Sequence, residues 1–130
     1  ILTQGAGLGM IACTLTLIFG GLLRPDSLAL FPYFVAVMLG LFFFTGIGNA
    51  STFRQYPIVF AHSPRQAAGV LGWTGAVAAY GPFFFAMLIG KSIAHTGSAA
   101  PFFWGAAAFY GAATFVNWRY YTRKGCERPC

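Results

Sequence analysis

Thr45, Asn49 and Thr52 are the residues best placed to do chemistry in this 130-residue chain. At about 100° per residue they share a helix face with Tyr56, bordered by Gly48 and Gln55. They stand inside an apolar run, where hydroxyl and amide groups are costly unless they point into a helix bundle or a water-filled cavity. Two uses are open to them. They can offer hydrogen bonds to a neutral or anionic solute without imposing negative charge, or they can hold helices together. The only acids, Asp26 and Glu127, lie outside the apolar runs, so the carboxylates of a proton or cation relay are missing from every candidate span. Arg54 is the one basic residue within an apolar run. It lies opposite Thr45 on the helical wheel, close enough to the segment end for its guanidinium to snorkel to the interface. His62 and His95 fall in breaks on opposite sides and cannot share a haem, and Cys13 reads as a small hydrophobe. Cys126 and Cys130 are too few ligands for a tetrahedral metal site, so neither metal nor cofactor is expected.

A second pattern concerns packing. Over residues 67–82 (AAGVLGWTGAVAAYGP), Ala68, Gly69, Gly72, Gly75, Ala76 and Ala79 crowd one side of a helix, while Val70, Trp73, Val77 and Tyr80 hold another. Small residues at this spacing let two helix backbones approach closely in a membrane, so the helix is expected to sit among others. Pro82 removes the bond to the Ala78 carbonyl and clashes with it, which predicts a kink or hinge at Gly81 and Pro82.

The elements carrying these residues follow from composition. Hydrophobic residues make up 58% of the chain and charged residues 8%, against roughly 25% charged in an ordinary soluble domain, so an all-α membrane protein is expected. Apolar runs predict four transmembrane helices at 1–23, 31–60, 66–90 and 101–121, followed by a tail at 122–130. Asp26 or Ser27 is available to cap the second helix, whose apolar run starts at Leu28. Its length requires tilt, projection beyond the bilayer, or unwinding near Pro57. Ser63 and Gln66 have the spacing of a capping box, with Pro64 suited to the first helical position, and residues 91–98 read as a short polar loop. Asn117 and Trp118 to Tyr121, with Arg119 among them, form an interfacial anchor.

The net charge of +6 gathers near segment ends rather than in a stripe, which argues against nucleic-acid binding. Arg54, Arg65, Arg119, Arg123, Lys124 and Arg128 fall on one side and Arg24 and Lys91 on the other, which predicts a cytoplasmic C-terminal tail. A start without methionine, directly on an apolar run, leads us to expect a C-terminal fragment.

Residues 46–53 (GIGNASTF) and 69–81 (GVLGWTGAVAAYG) resemble successive helices in the C-terminal part of nitrate/nitrite porters of the major facilitator superfamily, the NarK type. The resemblance covers essentially the whole chain, which would be helices nine to twelve of a twelve-helix bundle. It implies a secondary active transporter rather than an enzyme, multi-pass in the inner (plasma) membrane. It also implies nitrate or nitrite as substrate, with the bilayer and the remaining helices of the same transporter as partners. Gly69, Gly72, Gly75, Ala78 and Ala79 would occupy the second copy of the family's glycine-rich nitrate signature, with the two alanines standing where a glycine pair is common. The family's two anion-holding arginines belong to helices two and eight, so Arg54 takes no such role. The resemblance implies alternating access around a midplane site, with Thr45, Asn49 and Thr52 bordering the path. Exchange of the two anions and proton-coupled nitrate uptake both remain open. The alternatives are a carrier of another small anion, a four-helix anchor of a redox complex, for which haem-binding histidine pairs are lacking, and a cation exporter, for which membrane carboxylates are lacking.

Overall fold

The computed structural model describes residues 2–24 and 28–125, and these are helical almost throughout. The first helix, α1, spans Leu2–Phe19 and is closed by Gly21, whose φ of +66° suits a residue without Cβ. After a 3-10 turn at Leu28–Leu30, α2 runs over Phe31–Val59 with Pro32 in its first turn. The expected cap at Asp26 or Ser27 lies outside the described residues. Pro57 does not unwind α2: the helix continues past it, and the Phe60 amide still bonds the Tyr56 carbonyl at 3.0 Å. At about 1.5 Å per residue its 29 residues extend roughly 44 Å, more than the ~30 Å hydrocarbon core, which leaves tilt or projection.

The next span consists of α3, Pro64–Ala79, and α4, Gly81–Thr96, separated by one residue. Tyr80 keeps right-handed helical angles (φ −77°, ψ −15°), but its amide reaches the Val77 carbonyl at 3.2 Å in a tighter turn. Pro82 has no N–H for the Ala78 carbonyl, so the ladder is interrupted one residue before the predicted Gly81–Pro82 position. Ser63 is the N-cap of α3 without any side-chain cap bond, so the capping box with Gln66 does not form. Proline at the first position removes one of the amides that a cap would satisfy.

The loop expected at 91–98 is helical as far as Thr96, which places His95 in the last turn of α4. Nothing in this stretch breaks a helix before Gly97, which adopts φ +69° and bonds the Ile93 carbonyl at 2.8 Å. Ser92 and Thr96 turn their hydroxyls to the Ser98 carbonyl at 2.9 and 3.0 Å, so their polarity is absorbed locally. Ser98 in turn receives the Ala100 amide at 3.1 Å as α5, Ala100–Asn117, begins. A π-helical turn at Trp118–Thr122 ends the described fold, closed by the Arg123 amide on the Trp118 carbonyl at 2.9 Å.

Three of these spans, Leu2–Phe19, Leu28–Val59 and Pro64–Thr96, are long and apolar enough to cross a membrane. The packed core joins α1, α2 and α5: Leu17, Leu22, Leu41 and Phe103 are buried together, with Met10, Cys13, Met38 and Tyr110 packed around them. Cys13 is half-buried against Gly40, as a small hydrophobe would be. No residue of α3 or α4 belongs to this cluster.

Candidate functional site

The helices position two polar assemblies near the end where α1 begins and α2 and α5 finish. In the first, the Gln55 amide donates to Thr3 Oγ1 at 3.1 Å and the Thr3 hydroxyl donates to Ser51 Oγ at 3.0 Å. Ser51 then donates to the Gly48 carbonyl at 3.0 Å, which also accepts the Thr52 hydroxyl at 2.8 Å. In the second, Asn117 Nδ2 donates to Gln4 Oε1 at 2.9 Å and to Thr122 Oγ1 at 3.2 Å. Together they join α1 to α2 and α1 to α5 across sequence separations of 48 to 113 residues. In an apolar solvent such bonds also satisfy groups that lipid cannot.

Beside them lies a cleft of about 150 Å³ between α1, α2 and α5, lined by Thr3, Met10, Thr52, Tyr110, Thr114 and Asn117 among others. The helices around it approach closely at glycines. A Cβ at Gly7 would run into the Thr114 hydroxyl, one at Gly9 would enter the Phe44 ring, and one at Gly48 would lie 3.5 Å from the Ala6 methyl. Among the described residues no charged side chain lines the cleft, and the polar groups they bring to it are hydroxyls and an amide.

The predicted face on α2 is divided by this arrangement. Thr52 lines the cleft, whereas Thr45 and Asn49 are exposed outside it, with the Thr45 hydroxyl 3.5 Å from Met10 Sδ of α1. The Thr45 hydroxyl donates to the Leu41 carbonyl at 2.8 Å, and Thr52 satisfies its own in the same way on Gly48. Arg54 is exposed and does not touch the cleft. On α3, a Cβ at Gly69, Gly72 or Gly75 would meet nothing within 4 Å, and Ala78 and Ala79 are exposed. The small face expected to sit among other helices therefore has no partner within the described chain. Gly81 is half-buried, near the Phe85 ring, and Pro82 is exposed. His62 and His95 lie at opposite ends of the α3–α4 span. Among the described residues no group of three metal-binding side chains exists, and Cys126 and Cys130 lie outside them.

Sequence reasoning missed the two assemblies and the glycines of α1. The signal was present: Thr3, Gly7 and Met10 follow the helical period, as do Ser51 with Gln55 and Thr114 with Asn117. Thr3 and Gln4 mark the entry of the first span, and that position at its end concealed their role in joining helices.

No family model matches the chain, and no solved structure matches it. Among curated proteins, the chain is 50% identical over its entire length to the "Probable nitrate/nitrite antiporter NarK2" of Thermus thermophilus, covering 28% of that protein. It is 31% identical over 113 residues to the "Nitrate/nitrite transporter NarU" of Salmonella typhimurium, an alignment with 72% of this chain and 24% of the relative. The Escherichia coli protein of the same name is 29% identical over 110 residues, covering 70% and 24%. The chain thus spans about a quarter of the length of the curated relatives it matches.

Proposed function

We propose, since the chain belongs to the nitrate/nitrite transporter family, that the full-length protein is a secondary transporter carrying nitrate, nitrite or both across a membrane. The observation that carries this reading is 50% identity over all 130 residues to a protein named as a nitrate/nitrite antiporter. This span includes both the 46–53 segment and the glycine-rich face of α3. The chemistry agrees with an anionic solute. The described spans carry hydroxyls, amides and, near their ends, basic side chains but no carboxylate, which would repel nitrate.

In this reading α5 is a fourth crossing, and the four spans are helices nine to twelve of a twelve-helix major facilitator bundle. The protein resides in the inner membrane. The end carrying Arg54, Arg65, Arg119, Arg123 and Lys124 faces the cytoplasm, because translocation of clustered basic residues is disfavoured. The open face of α3, with Gly69, Gly72, Gly75, Ala78 and Ala79, docks against a helix supplied by the rest of the transporter, and Gly81–Pro82 absorbs bending as access alternates. Thr45 and Asn49, exposed on the same α2 face, border the anion path with Thr52.

Flux measurements in proteoliposomes containing the full-length protein test the assignment. Nitrate uptake accelerated by internal nitrite supports exchange, and uptake that requires an imposed pH gradient supports proton symport. Absence of flux for both anions, with another small anion transported, would replace the substrate assignment.

A further inference from the structure

The α3–α4 span is held to the rest of the chain quite differently from the other helices. It contributes no residue to the buried core, and of its residues only Ala67 is buried. The span meets the connection to α5 through the Ser92 and Thr96 hydroxyls on the Ser98 carbonyl, and α5 itself through the Phe85 ring beside Phe102. Among the described residues, however, one side-chain hydrogen bond links it to α1, α2 or the segment between them. The Arg24 guanidinium, in the segment after α1, donates from Nη2 to the Thr96 carbonyl at 3.0 Å. Thr96 is the last residue of α4, where carbonyls lack helical partners and the helix dipole favours a cation. Gly97 completes the seat: with φ +69° it turns the chain away beneath the guanidinium, and a Cβ there would stand 3.9 Å from Arg24 Nη2. At the opposite end, by contrast, α1, α2 and α5 are tied by the side-chain bonds of Thr3, Gln4, Ser51, Gln55 and Asn117.

We propose that Arg24 is a latch: its bond to the Thr96 carbonyl holds the end of α4 against the end of α1 and releases it when the span bends at Tyr80. Arg24 is a positioning residue, acting on the anion path through α4. A solvent-facing bond from a charged donor to a neutral acceptor is strong enough to bias the span and weak enough to break within a transport cycle. The three-helix block, tied by its core and its amide network, stays rigid while the span moves. The role in the cycle rests on the transporter reading, whereas the latch itself can be measured without transport.

Amide hydrogen exchange on the full-length protein in lipid nanodiscs reads the latch directly. In Arg24→Gln, amides of residues 91–97 should exchange about five-fold faster, as expected for loss of a bond of this class, while those of α1 stay unchanged. Arg24→Lys, which keeps a cation at the helix end, should restore much of the protection, and Lys91→Gln should leave exchange at wild-type rates. Unchanged exchange in Arg24→Gln, or equal acceleration across α1, overturns the latch. For the cycle, Arg24→Cys with Thr96→Cys in a cysteine-free background is bridged by a short reducible thiol cross-linker. Flux should stop on bridging and return on reduction, and flux that persists in the bridged protein overturns the gating role. If the unbridged and wild-type proteins carry neither anion, the transport assignment fails, and the exchange data still decide whether Arg24 holds α4.

Discussion

Helices α1 and α3 carry the same kind of sequence and meet opposite surroundings. Each has three glycines close together, Gly5, Gly7 and Gly9 in one and Gly69, Gly72 and Gly75 in the other. On α1, Gly7 and Gly9 have no room for a Cβ, because Thr114 of α5 and Phe44 of α2 press against the backbone. On α3 the corresponding space is open. Small-residue spacing therefore tells that a helix can be approached closely, while the identity of the approaching surface depends on what the rest of the fold brings near. In α1 that surface is supplied within this chain. For α3 our proposal assigns it to helices elsewhere in the transporter.

The sharpest way to break this comparison is Gly75→Leu in the full-length protein. If the open face of α3 meets a moving helix, nitrate flux should fall at least ten-fold while membrane insertion and the unfolding temperature stay near wild type. Wild-type flux would remove the close-contact role. Gly9→Leu should show the reverse character, since its side chain must displace the Phe44 ring inside the α1–α2 contact. Overpacking of this kind costs about 1–3 kcal/mol, visible as a lowered unfolding temperature in detergent; an unchanged temperature would show that α1 is no more tightly packed than α3.

Smaller effects sharpen the distinction. A double-mutant cycle on Gln4→Leu and Asn117→Leu should give a coupling of about 0.6 kcal/mol, the average for side-chain bonds between membrane helices. Additive effects would mean that the 2.9 Å contact contributes nothing to joining α1 and α5. The smallest change is expected from Thr52→Val, whose hydroxyl is satisfied on the Gly48 carbonyl. Stability should shift by less than about 0.5 kcal/mol, so any change in the apparent nitrate affinity would report contact with the solute rather than altered packing.

Much of this molecule follows from local chemistry. Apolar runs interrupted at residues 24–27, 62–66 and 91–98 predicted the helical spans, since lipid demands that backbone groups be satisfied within each segment, and the structure narrows the last break to 97–99. Pro82 determined the interruption to within two residues, because a missing amide acts on its own carbonyl partner one turn back. The end of α4 was harder to read: Lys91, Ser92 and His95 look like loop residues, yet polar side chains at a helix end can bond their own backbone or reach the interface. Tertiary structure alone decided which polar groups meet. Gln4 finds Asn117 across 113 residues, and Arg24 finds the end of α4 across 72. It also decided that α1, rather than the more conspicuous α3, is the closely packed glycine helix of this chain. Periodicity specifies the face a helix presents, but the partner of that face is set by how several helices fill space together.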